Sequence, residues 1–235
     1  MAHLSKAELT YEPELTGLLI VDPYNDFLSE GGKLYELSRS TLEANNVVEH
    51  MRQVLAAARA NGMQVFIAPH HRWRESDPYS HWKTLPPVQA SAAKGHVFAD
   101  GTWGGSFHPD FEPHPGEVVA QEHWLSSGFA NTDLDLQLKK HGLRTVIVIG
   151  MRANTCIEST VRFAAELGYE VTLVKDAIGS FGHAEMDASL QFNIPAYASA
   201  VVSTDEIVAQ LSVARLGDRQ KHEVIDPQQI LDISS

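Results

Sequence analysis

The stretch Thr145-Val146-Ile147-Val148-Ile149-Gly150-Met151-Arg152-Ala153-Asn154-Thr155-Cys156 carries the strongest fold signal in the 235-residue chain. Its first five residues form a continuous β-branched run, too short for a helix and closed by glycine. Such a run suits a strand buried on both faces, the habit of parallel sheets. The residues beyond the glycine read as a helix start. Thr155-Cys156-Ile157-Glu158 fits a capping box, with Thr155 as N-cap and Glu158 at the third helical position. The predicted helix runs from Cys156 to Leu167 and stops at Gly168.

The same rhythm recurs on either side. Leu18 to Val21 ends at Asp22, and Met63 to Ala68 is closed by Pro69. Glu117 to Gln121 follows the turn signal Pro115-Gly116, and Tyr169 to Val174 and Ser199 to Val202 complete six runs. Between them, Val47, Met51, Val54 and Ala58 lie on one helical face with Gly62 as C-cap, and Asp133 to Lys140 ends at Gly142. The alternation predicts a single α/β domain over residues 1–235: three layers, a six-stranded, mostly parallel sheet, and helices on both faces. Residues 69–116 break the rhythm. They are proline-rich and hold three of the four tryptophans, so a lid or binding insertion is expected there. The tail, 216–235, is expected to be a surface helix or a subunit-docking arm.

Composition narrows the function. Hydrophobic residues at 43% and charged residues at 20% exclude a disordered chain. Eighteen basic against thirty acidic residues leave a net charge of −12, which argues against nucleic acid as a partner. A single cysteine excludes an internal disulfide. The polar start shows no signal-type apolar stretch, and no run approaches the ~18 apolar residues of a membrane span. A soluble, cytoplasmic protein acting on a small molecule is expected.

In an open α/β sheet, ligands bind beyond the carboxyl ends of the strands. Asp22, His70-His71, Glu122-His123 and the segment ending in Cys156 would converge there. A cysteine at a helix start gains thiolate character and sits among free N–H donors; a buried structural cysteine is the alternative. Asp22 reads either as a turn residue or as a general base facing the thiol. Asn25 and Asp26 are expected to brace their loop. Adjacent histidines on a strand point to opposite faces, so His70 and His71 suit substrate contact better than metal ligation. Neither Gly31-Gly32-Lys33 nor Gly101-Thr102-Trp103-Gly104-Gly105 has nucleotide-loop spacing. No metal and no cofactor are expected.

The segments LLIVDPYNDF (18–27), GTWGGSFHPDFEPHPGEVV (101–119), SSGFANTDLDLQL (126–138) and VIVIGMRANTCIESTVRFAAELGYEVTLVKDA (146–177) resemble the isochorismatase-like cysteine hydrolases, which include nicotinamidases and N-carbamoylsarcosine amidases. The resemblance covers about residues 16–211. It implies a Rossmann-like sheet and an Asp–Lys–Cys triad, with Asp22 as base and Cys156 as nucleophile. It also implies a cis Met151–Arg152 peptide, an oxyanion hole from the Arg152 and Cys156 amides, and a homodimer or homotetramer. The family lysine is missing. Counting from Pro115-Gly116 puts Glu122 in its place, and counting back from Ser127-Gly128-Phe129 puts His123 there. Strand parity favours Glu122, which would set a second carboxylate beside the thiol. The Asp-x-His metal pattern of nicotinamidases is broken at Ala68-Pro69-His70. The expected activity is cleavage of a C–N bond in a small amide, ureido or lactam-like substrate through a thioester, with Tyr24, Phe27, His70, His71 and Trp103 as pocket walls. A vinyl-ether hydrolase and a non-catalytic binding protein are the alternatives.

Overall fold

The computed structural model describes residues 9–212; the expected C-terminal arm, 216–235, lies outside them. All six predicted strands form: β1 (Thr16–Val21), β2 (Gln64–Ala68), β3 (Val118–Val119), β4 (Thr145–Gly150), β5 (Glu170–Ile178) and β6 (Ala200–Val202). They make one sheet in the order β3-β2-β1-β4-β5-β6, every pair parallel. The helices include α1 (Asn25–Leu28), α2 (Tyr35–Ala44), α3 (Val47–Ala60), α4 (Pro87–Gly95), α5 (Leu134–Lys140), α6 (Glu158–Glu166) and α7 (His183–Ala188). Among the described residues, no helix is long and apolar enough to cross a membrane.

Strand alternation builds two cores, one on each face. Leu18, Ile20, Ile147 and Ile149 pack with Val47, Met51, Val54 and Ala58 of α3. Leu19, Val21, Val146 and Val148 pack with Leu134 and Leu138 of α5 and with Val161 of α6. The helical face predicted for α3 is the one that is buried. Beyond its C-terminus Gly62 takes a φ of +71°, the left-handed turn expected of it.

The chain leaves β1 toward one sheet edge and returns through β4 toward the other. The β1–β4 pair is therefore the topological switch point, where a crevice opens past the strand ends. Two backbone features shape it. Gly150 has a φ of +120°, and a Cβ there would lie 2.1 Å from the Val21 carbonyl oxygen, so only glycine lets β4 run this close to β1. Asp22 takes a left-handed φ of 51°, held by its N–H to Ala68 O and by the Tyr24 N–H on its own carbonyl.

Asn25 and Asp26 brace the neighbouring insertion, as expected. Asn25 Nδ2 donates to Trp103 O and Phe107 O, at 2.9 and 3.2 Å. Asp26 accepts from Phe98 N at 2.7 Å and from Lys33 N at 3.0 Å, with Gly104 packed so closely that a Cβ would strike its Oδ1. The Gly101–Gly105 stretch is thus a packed bracket for these two side chains. Asp26→Ala strands two backbone donors, and it should lower the free energy of unfolding by about 3 kcal/mol, read from urea denaturation. A loss under about 0.5 kcal/mol would contradict the bracing role.

Candidate active site

Three buried side chains meet in the crevice at the switch point. Asp22 follows β1, His123 lies past β3, and Cys156 follows β4. A carboxylate oxygen, a ring nitrogen and Sγ from these residues lie within 4.8 Å of one another. His123 Nε2 and Asp22 Oδ1 are 3.0 Å apart, and both side chains are fully buried. Asp22 Oδ2 and His123 Nδ1 have no hydrogen-bond partner. A ring with a proton on Nε2 fits this arrangement, because it donates to Asp22 Oδ1.

The structure corrects the assignment of Glu122 to this place. A regular register from Ile67↔Val119 would set Glu122 opposite His70, but the bridge observed is His70↔His123. One extra residue is absorbed between Val119 and His123. His123 is then locked in by its N–H to Pro69 O and by the His71 N–H to its own carbonyl. The bulge reverses the parity argument. Glu122 points instead into a cationic cluster: Arg72 Nη1 at 2.8 Å, Arg74 Nη1 at 3.0 Å and His71 Nδ1 at 3.1 Å. Burial works against its charge, yet hydrogen bonds from His71, Arg74 and Arg72 hold its carboxyl well below the usual range.

The start of the Cys156 helix also differs from the capping-box reading. A wide π-helical turn spans Ala153–Ile157, α6 begins only at Glu158, and Arg152 occupies the N-cap. The Glu158 carboxylate is taken by Arg162, Ser189 and Asn193. The Met151–Arg152 peptide is cis. Thr155 Oγ1 lies 3.7 Å from Sγ as a donor. The surroundings of Sγ work against the thiolate character expected of a helix start. Burial pushes the Cys156 thiol well above its ordinary pKa, the Asp22 carboxylate pushes it further, and Thr155 and Arg152 offset this only in part.

A cavity of about 420 Å³ opens onto Asp22, His70, Arg152, Thr155 and Cys156. Of the expected walls, Phe27 and His70 line it. Burial and the neighbouring His123 lower the His70 pKa to about 4, so this ring is neutral, its Nδ1–H donating to His71 O. Tyr24, His71 and Trp103 do not line it. Tyr24 is buried and donates to His70 O, His71 is held between Asp77 and Glu122 and stacks on Trp124, and Trp103 is 53% exposed. Sequence reasoning missed Phe98, Phe181 and the Arg152 side chain as lining groups, along with α4 of the 69–116 insertion. Only the position of that insertion beside the strand ends signalled a wall.

Asp22, His123 and Cys156 are also the one set among the described residues whose donor atoms converge closely enough for a metal ion. A ligating imidazole ordinarily gives its second N–H to an oxygen. The unpartnered second nitrogen of His123 lacks one, so the arrangement suits proton transfer better than ligation.

Comparison with known proteins gives one consistent picture. The family profile described as Isochorismatase domain matches residues 16–206. The ureidoacrylate amidohydrolase RutB of Klebsiella variicola is 29% identical over 216 residues, covering 88% of this chain and 91% of that protein. RutB of Agrobacterium fabrum is 25% identical over 220 residues, covering 88% and 94%. Among solved structures, a cysteine hydrolase from Pseudomonas syringae pv. phaseolicola 1448A shares the fold with a TM-score of 0.73 at 24% identity, covering 90% of this chain and all of the other. N-carbamoylsarcosine amidase from Thermoplasma acidophilum superposes with a TM-score of 0.60 at 23% identity, covering 81% and 97%.

These electrostatics have two measurable outcomes. Iodoacetamide should label Cys156 at pH 7.5 more slowly than a free cysteine, and Asp22→Asn should speed that labelling, because removing the like charge lowers the thiol pKa. Slower labelling of Asp22→Asn would contradict the arrangement. Glu122 has its pKa lowered by folding, so its stabilising effect is present above the unfolded value of ~4.3 and is lost as pH falls below it. Glu122→Gln should therefore cost on the order of 2 kcal/mol at pH 7 in urea denaturation, and the gap to wild type should shrink below pH 4.

Proposed function

From the premise that the chain belongs to the isochorismatase family, and is a hydrolase of it, we propose that it cleaves a C–N bond of a small amide or ureido substrate through a Cys156 thioester. The convergence of Asp22, His123 and Cys156 at the switch point, with Asp22 and Cys156 opening onto the cavity, carries this reading. The names of the similar proteins, ureidoacrylate amidohydrolase and cysteine hydrolase, support it.

Asp22 Oδ2, the unpartnered oxygen, takes the thiol proton as Sγ attacks the substrate carbonyl. The raised pKa of the resting thiol fits a transfer that occurs only when substrate is in place and the new C–S bond forms. The N–H groups of Arg152 and Cys156 hold the oxyanion. The carboxyl of Asp22 returns its proton to the leaving nitrogen, and ammonia or an amine departs. Water then gives a proton to Asp22 and attacks the thioester, and the thiolate leaves and is reprotonated.

The family resemblance implies a lysine in this triad, and His123 stands beside Asp22 in its place. The His123 Nε2–H holds Asp22 Oδ1 in place, so that Oδ2 faces the thiol. A homodimer or homotetramer accompanies this reading, supported by apolar side chains left open at Phe163 and Phe192.

The reading is tested with an amide and ureido panel scored by ammonia release. Cys156→Ala should abolish turnover, and mass spectrometry of the wild type should trap an adduct on Cys156. His123→Gln should cut kcat at least thirtyfold, whereas Glu122→Gln should change it by less than threefold. The reverse order would return the third role to Glu122. Turnover surviving Cys156→Ala would favour a vinyl-ether or other thiol-independent reaction.

A further inference from the structure

The insertion between β2 and β3 is fixed at two points by buried carboxylates. Asp77 takes a hydrogen bond from the Arg74 N–H at 2.7 Å and holds the His71 ring at 3.0 Å. Further on, the Phe98 N–H donates to Asp26 at 2.7 Å, and Val97, Phe98 and Ala99 are buried. Between these anchors, over residues 78–96, Gln89 is the one buried residue. This span contains α4, which stands over the cavity: Pro87, Val88, Ser91 and Ala92 line it, together with Leu37 and Leu125 from outside the insertion.

Little holds α4 down. Among the described residues, the one hydrogen bond that ties residues 78–95 to the rest of the fold runs from Gln89 Nε2 to Trp124 O, at 3.0 Å. Tyr79 and Trp82 add ring contacts to Trp124, at centroid distances of 6.2 and 5.3 Å. A helix of nine residues is marginal by itself, so the position of α4 depends on those few contacts. Elements with so little buried surface open locally well below the free energy of global unfolding. Both ends can absorb such a motion. Exposed Lys83, Thr84 and Pro86 lead into the helix, and after Gly95 the chain takes left-handed φ values of 46° at His96 and 55° at Phe98. The His96 ring stacks on Trp73 at 3.8 Å, which makes the turn beyond the helix a fixed pivot.

We propose that residues 78–96 form a hinged lid over the Cys156 cavity, latched by the Gln89–Trp124 hydrogen bond. The lid swings between the Asp77 and Asp26 anchors, admits a ligand when the latch is broken and excludes water when it is made. Trp124 is itself held by stacking on His71 at 3.7 Å, so the latch closes on a rigid receiver. Val88 on the lid and Leu37 and Leu125 on the rim are exposed apolar groups. Closure over a ligand would bury them, which supplies a driving force for the motion. The lid does not depend on which reaction occurs at Cys156.

Cys156 is the one cysteine of the chain and lines the cavity, so its labelling reports the lid directly. Rates are measured with iodoacetamide and with the bulkier fluorescein maleimide, and their ratio is compared with the same ratio on N-acetylcysteine. Both reagents react with the thiolate, so the ratio cancels any difference in thiol pKa. In the wild type the bulky reagent should be disfavoured at least tenfold relative to N-acetylcysteine, and Gln89→Ala should recover at least threefold of that loss. Hydrogen exchange gives a second measurement that needs no thiol: α4 amides should exchange at least a hundredfold faster than those of α3, and Gln89→Ala should speed α4 while leaving α3 unchanged. No size discrimination in the wild type, a ratio that Gln89→Ala does not move, a thiol that neither reagent reaches, or α4 amides as protected as those of α3 would each overturn the proposal.

Discussion

A fully buried carboxylate must be met by donors, and Asp22 is one. It sits at the switch point in a left-handed backbone conformation, beyond the reach of solvent. One oxygen is answered by His123, and the other faces the thiol side without a partner of its own. The rest of the crevice is arranged around that need. Gly150 lets β4 approach β1 closely enough to bring Cys156 near, and the bulge after β3 turns an imidazole inward. Among the described residues of this crevice, Asp22 Oδ2 is the carboxylate oxygen left without a hydrogen-bond donor.

Two other acidic side chains show how the same need is met when no chemistry is required. Asp26 is answered by the backbone amides of Phe98 and Lys33, which ties the long insertion to α1. Glu122 is answered by two arginines and a histidine. Both are saturated. Arg72, in turn, lies over the rings of Tyr24 and Phe107, so the ion cluster is joined to the aromatic packing behind the cavity. The contrast between saturated and unsaturated carboxylates is a physical reason to separate Asp22 from its neighbours, independent of any resemblance.

The sheet was legible because every strand of a doubly covered sheet is a continuous apolar run, and Thr145 to Gly150 is the clearest. The placement of Asp22 and Cys156 side by side was legible because both follow strands that pair at the switch point. Three things were not. The thiol's protonation is decided by burial, and a helix-start pattern contains no information about how deep the helix lies. Glu158 left the capping box because Ser189 and Asn193, thirty or more residues away, claim its carboxylate. The aromatic walls were misassigned because Tyr24 and His71 turn into packing partners that only the tertiary structure supplies. The Arg152 side chain falls in the same class, since its stacking on Phe181 spans the whole of α6 and β5.

The bulge between β3 and His123 uncouples sequence length from spatial position. Because Pro69 and His71 grip the backbone of whichever residue lies across from His70, the segment upstream can lose or gain a residue without displacing that grip. Its position in space is set by the neighbouring strand and not by the count from β3. A single-codon insertion or deletion upstream would therefore change which side chain faces Asp22, with no substitution in the strands. In such a family, the equivalent residue is identified by its backbone partners, and alignment columns across this short stretch compare side chains that do not occupy the same place.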